Sequence, residues 1–129
     1  MFTIQEIETA AQKVKSGADF PQFAATLKAL GVTRFDVYVI NGISIYFGKN
    51  DGTVEGSAAY EPLVIEQTPS PDELTEALKN HQDGQIDYQT FCRQAAGAGV
   101  EKWIVDLELM TVTYLDVTGN EIVVEKIKF

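Results

Sequence analysis

The chain is poor in the residues on which most catalytic and metal centres rest. Its 129 residues include one cysteine, one histidine and one tryptophan. With Cys92 alone there is no intrachain disulfide and no Cys-x-x-Cys pair. With His81 alone as well, a transition-metal centre built on nitrogen and sulfur is not expected, and neither a metal nor a cofactor is predicted. No Gly-rich phosphate loop, HExxH helix or nucleophile elbow occurs. "DVTGNEIVVE" lacks the spacing of a calcium loop, because Thr118 stands where an acid or amide belongs. Basic residues are also scarce: 10 Lys and Arg stand against 19 Asp and Glu, a net charge of −9. Such a surface repels phosphate, so no nucleic-acid partner and no anionic membrane surface are expected. No apolar run approaches the ~20 residues that span a bilayer. "MFTIQEIETAAQKV" has neither the basic start nor the apolar stretch of a secretory signal. These absences predict a cytoplasmic protein.

What is there is an ordinary globular composition, 45% hydrophobic and 22% charged, which argues against extensive disorder. The length fits one domain. Within it the sequence resembles itself. "DFPQFAATLKALGVTRFDVYV" (19–39) aligns without gaps on "DYQTFCRQAAGAGVEKWIVDL" (87–107), 68 positions on. The shift matches Asp19 with Asp87, Gly31 with Gly99 and Val32 with Val100. It also matches four aromatic positions: Phe20 with Tyr88, Phe23 with Phe91, Phe35 with Trp103, and Tyr46 with Tyr114.

Each matched residue has a mechanical reading. Asp19 and Asp87 sit where a helix needs a side-chain acceptor for its first N–H groups. Pro21 falls in a first turn, where its missing N–H does no harm. Gly31 and Gly99 sit where a helix ends in a left-handed residue, with a valine following to pack back on the last turn. Upstream, Thr3 with Glu6 and Ser70 with Glu73 read as capping boxes, and Pro71 takes the first helical position. Ile4, Ile7, Ala11 and Val14 form one helical face, and Leu74, Leu78 and His81 follow the same spacing.

β patterns follow each helix pair. Asn41-Gly42 is the dipeptide of a type I′ hairpin turn, which wants φ > 0 twice. Asp51-Gly52 offers a second turn into "TVEGSA". In "WIVDLEL", Trp103, Val105, Leu107 and Leu109 alternate with Asp106 and Glu108. Gly119-Asn120 turns the chain into "EIVVEKIKF". Leu109-Met110 stand in place of Asn41-Gly42. Both resist φ > 0, so the second turn is expected to differ in type or length. "PLVIE" in the connecting segment reads as one more strand. The predicted fold is α+β: two tandem helix-helix-β-meander units with a pseudo-twofold relation, and an antiparallel sheet covered by helices. The units are 1–59 and 70–129, joined by a linker at 60–69, within a single domain.

The run "HQDGQIDYQTFCRQAAGAGVEKWIVDLELMTVTYLD" (81–116) resembles the YdfO-like family of small bacterial and prophage proteins. The similarity extends through "FAATLKALGVTRFDVYVINGISIYFG". The resemblance implies an α+β domain. Members are sometimes labelled phage envelope protein, and no activity or catalytic residues come with the label.

The residues that could carry chemistry are few. His81 could act as a general base, but it shares an apolar helical face with Leu74 and Leu78, near a helix end where a half-buried ring is stabilising. Cys92 could be a nucleophile, but its counterpart is Ala24, so a small buried packing residue is expected. Asp106 could be a buried carboxylate paired with Glu108, although a solvated strand face is the expected reading. Tyr38, Tyr46, Trp103 and Tyr114 favour strands in any case, and could also line a ligand pocket. The expected function is a non-enzymatic module that binds a small molecule or a protein partner, a second copy included. The alternatives are a small enzyme using His81 and Cys92, with or without Asp106, and a phage accessory or structural protein.

Overall fold

The computed structural model describes residues 2–15, 17–49 and 52–127. Helix α1 (Ile4–Ala11) opens on the capping box: Thr3 Oγ1 accepts from Glu6 N at 3.2 Å, and Glu6 Oε1 accepts from Thr3 N at 3.0 Å. The helix stops at Ala11, so Val14 lies beyond it, and its buried residues are Ile7 and Ala10. A 3₁₀ turn at Gly17–Asp19 leads into α2 (Phe20–Leu30), with Pro21 in its first turn. The expected Asp19 cap is not made: its carboxylate accepts from Lys15 N at 2.8 Å. The reason is local, since Asp19 is held in helical φ/ψ by the 3₁₀ turn and cannot adopt the extended geometry of a cap. Helix α3 (Pro71–Gln82) begins with Ser70 Oγ accepting from Glu73 N. Helix α4 (Tyr88–Gly97) has the Asp87 cap as expected, 2.8 Å from Thr90 N. Gly31 and Gly99 both take left-handed backbone, at φ 102° and 87°.

The strands are β1 (Val32–Tyr38), β2 (Ser44–Gly48), β3 (Thr53–Glu55), β4 (Lys102–Asp106), β5 (Thr111–Leu115) and β6 (Glu121–Lys126). They form one antiparallel sheet in the order β3-β2-β1-β4-β5-β6. Both halves therefore run helix, helix, three strands, and the halves join through β1 and β4. In that seam Asp36 pairs with Ile104, Arg34 with Asp106 and Tyr38 with Lys102. Within the halves, Phe35 pairs with Tyr46, and Trp103 with Tyr114.

Strand alternation sorts the two faces. Phe35, Val37, Val39, Trp103, Val105 and Leu107 join the buried helix residues Ile7, Leu27, Leu74 and Phe91 in one core. Burial of a leucine such as Leu27 or Leu74, both fully enclosed, contributes ~1.5–3 kcal/mol. The intervening residues face the other side. There Asp36 is buried under Arg34, which donates to both its oxygens at 2.9 Å, and under Lys102 at 3.8 Å.

Four expectations are corrected in and around the loops. Asn41-Gly42 is not a type I′ turn, because only Gly42 has positive φ, at 76°. The last ladder partners are Tyr38 and Ile43 (N to O, 2.9 Å), which makes a longer loop. Met110 does take the left-handed backbone expected to be closed to it, at φ 56°. Asp106 Oδ1 accepts from both Glu108 N and Leu109 N at 2.9 Å and fixes the turn. Strand β4 therefore ends at Asp106, and Leu109 is 69% exposed, off the apolar face to which alternation assigned it. "PLVIE" forms no strand. Its N–H groups bond instead to loop and helix-end carbonyls, Leu63 N to Ile40 O and Glu66 N to Ala96 O. In the Asp51-Gly52 turn, Asp51 lies outside the described residues.

Candidate functional site

The eight aligned aromatic positions form two packed sets. In the first half Phe20 meets Phe23 at 6.4 Å between centroids, Phe23 meets Phe35 at 6.1 Å, and Phe35 meets Tyr46 at 5.2 Å. In the second, Tyr88 and Phe91 meet Trp103 at 6.3 and 5.7 Å, and Trp103 meets Tyr114 at 5.9 Å. The helix supplies two rings in each set and the paired strands supply the other two.

A cavity of about 570 Å3 lies against the second set. Tyr88, Phe91, Trp103 and Tyr114 line it, with His81 from α3 and Glu125 from β6. The 3₁₀ turn and the start of α2 close it from the first half, through Gly17, Ala18, Phe20 and Pro21. This volume is within the range of small-molecule sites. The lining is mainly apolar, with its polar groups at a few points.

His81 stacks on Phe91, with centroids 4.9 Å apart and planes 14° apart. Burial lowers its pKa, and Asp87 opposes that shift. The imidazole is therefore neutral at pH 7. Gly17 is seated on it so closely that a Cβ there would stand 2.8 Å from His81 O. Only glycine lets the turn rest on the end of α3. Across the cavity, the Tyr114 hydroxyl donates to Glu125 Oε1 at 3.1 Å. Burial pushes the Tyr114 pKa up, and the Glu125 carboxylate adds to the shift.

Cys92 is outside the cavity and fully buried. Burial raises its pKa, against the hydroxyls of Tyr60 and Tyr88. A protonated, enclosed thiol is a poor nucleophile. Tyr88 is 42% exposed overall, but its hydroxyl end lies beside that thiol, and burial there raises its pKa as well. His81 stacks on Phe91 and Cys92 engages Tyr60, and Tyr88 is common to both.

Asp106 caps the β4–β5 turn, and Glu108 is exposed. Among the described residues no group of three acidic, histidine or cysteine side chains is placed to hold a metal. Tyr38 is on the opposite sheet face, with Lys102 Nζ 5.4 Å from its ring centre. Tyr46 belongs to the first aromatic set. Of the candidates read from sequence, His81, Trp103 and Tyr114 come together, and Cys92, Asp106, Tyr38 and Tyr46 do not join them. Sequence reasoning missed Gly17 and Glu125. The period of two in "EIVVEK", which puts Glu125 on the side of Val123, was the available signal for Glu125.

Residues 8–126 match the family described as "Protein of unknown function (DUF1398)". The chain belongs to that family. It is similar to the uncharacterized protein Rv2012 of Mycobacterium tuberculosis (strain H37Rv), 32% identical over 99 residues, which are 74% of this chain and 58% of that protein. The chain thus matches little more than half the length of this mycobacterial relative. It is also similar to the uncharacterized protein YcgX of Escherichia coli K12, 20% identical over 117 residues, 91% of this chain and 87% of that protein. The names of these two relatives carry neither a phage label nor an activity.

Proposed function

We propose that this DUF1398 protein is a non-enzymatic small-molecule-binding module, and that its site is the aromatic cavity of the second half. The observation that carries the reading is the cavity itself: about 570 Å3, walled by five aromatic rings, Phe20, Tyr88, Phe91, Trp103 and Tyr114, with the Glu125–Tyr114 pair and His81 as its polar points. The enzymatic alternative draws no support from this arrangement, since Cys92 is enclosed and paired with tyrosines.

The frame that holds the cavity is, on this reading, a duplicated unit with a pseudo-twofold relation. The sheet register supports it. In the seam, Asp36 pairs with Ile104, the residue 68 positions on. Val39 N bonds to Glu101 O and Leu107 N to Thr33 O, which are the same bond under the same shift. The Phe35–Tyr46 and Trp103–Tyr114 pairs also correspond. So do the left-handed residues Gly42 and Met110.

The test uses the only tryptophan in the chain. Because Trp103 lines the cavity, its emission reads occupancy directly. A fragment library screened by thermal shift should yield compounds that also change Trp103 emission. Val112→Phe, which grows a ring into the cavity from its wall, should abolish both signals while circular dichroism stays unchanged. Hits that bind the Val112→Phe protein as well as the parent would refute the site.

A further inference from the structure

We propose that the cavity selects an organic cation, an ammonium head on an apolar body, held against the Tyr88–Trp103 corner with Glu125 as counter-charge. This rests on the reading of the cavity as a ligand site and names its chemistry. Tyr88 and Trp103 meet at 86°, forming two adjacent walls, and Phe91 and Tyr114 flank Trp103. Ring faces carry negative quadrupole density, and tryptophan binds cations best.

Glu125 supplies the charge. It pairs with Val112 across β5 and β6, so alternation turns it to the core side. The Tyr114 hydroxyl holds Oε1 in place, and Oε2 takes no hydrogen bond from the described residues. A carboxylate in this position can accept a ligand N–H or stand as counter-ion to a quaternary head. Among the described residues, the one permanent cation in the lining is Lys126, which is exposed and so stands at the rim. His81 is half-buried against Phe91 and contributes a neutral ring. An anionic ligand would meet Glu125 with no fixed positive charge inside from the described residues. The net charge of −9 further enriches cations around the molecule.

The experiment compares three soluble probes by Trp103 emission and thermal shift: benzyltrimethylammonium, neutral N,N-dimethylbenzamide and benzoate. The cation is expected to bind about tenfold tighter than the amide, and benzoate weakest. Glu125→Gln keeps an acceptor for Tyr114 and removes the charge. It should bring the cation to the level of the amide and leave the amide unchanged. Trp103→Phe should weaken the cation more than the amide, read by thermal shift. Equal binding of cation and amide, a preference that survives Glu125→Gln, or no binding of the cation overturns the proposal. The ligand-site reading fails separately, when no compound of any charge is lost on Val112→Phe.

Discussion

Phe35 packs on Tyr46 at 5.2 Å in the first half, and Trp103 packs on Tyr114 at 5.9 Å in the second, across corresponding strand pairs. Two helix rings, Tyr88 and Phe91, meet the second pair, whereas Phe23 meets the first and Phe20 packs on Phe23 and lines the cavity. The surroundings then differ. Opposite Tyr46, the third strand is three residues long and brings Val54. Beside Tyr114, the third strand is six residues long and brings Val123 and, two residues on, Glu125. The helical spacing sets His81 against Val14, but His81 lies within α3 whereas Val14 lies beyond the end of α1. The rings set the frame in both halves. The cavity and its charge come from the edge strand and the helix end, which are freer to vary because less of the core depends on them.

Ring truncation is the strongest way to break this comparison. Phe35→Ala should cost about 3–5 kcal/mol in urea denaturation. Trp103→Ala should cost no more, although the ring is larger, because part of its surface meets the cavity and has no packed atoms to lose. A clearly greater cost at Trp103 would mean that the second set is as closed as the first.

Gly17→Ala comes next. Its methyl group would meet the backbone of His81, which cannot rotate away. A loss of about 1–3 kcal/mol is expected, with displaced His81 resonances as the local sign of a turn lifted off α3. The two loop residues sharpen the comparison further. Gly42→Ala should destabilise, since its Cβ would stand 2.8 Å from Ala59 Cβ on top of the φ strain. Met110→Gly should stabilise by up to about 1 kcal/mol, by relieving the same backbone strain in the other half.

The smallest effect is the dependence on pH. Burial holds the folded pKa of His81 below 6.5. Between that value and 6.5 the unfolded chain binds a proton that the folded chain refuses. Stability from this source is complete above pH 6.5 and falls as the pH drops through the window. As the only histidine, His81 can be titrated by NMR without overlap, and its midpoint should lie below 6.5. His81→Val, which removes the titrating group, should flatten the slope.

Much of the frame could be read before any coordinates. Gly31 and Gly99 end helices, Asp87 and Thr3 begin them, and the four aromatic pairs fall where the core needs them. The reason is that caps and core rings act over a few residues or at a fixed period. One feature that could not be read is local: Met110 tolerates its backbone because Asp106 ties the turn. The rest depended on contacts distant in sequence. "PLVIE" looks like a strand in composition, yet its N–H groups go to loop and helix-end carbonyls, and Val64 is 85% exposed. Of the site, the strand rings and His81 were visible as candidates. Gly17 and Glu125 were not, because each matters only for what the other half, or the neighbouring strand, places against it.

The seam between β1 and β4 has a consequence for how the molecule withstands being cut. Ladder bonds cross it from Val39 at one end to Leu107 at the other, and either half taken alone would offer a raw edge to any extended chain nearby. Covalent tethering keeps the proper mate at high local concentration. A protease nick near Val64 should therefore leave two fragments that stay clasped, and whose hold on each other weakens with dilution.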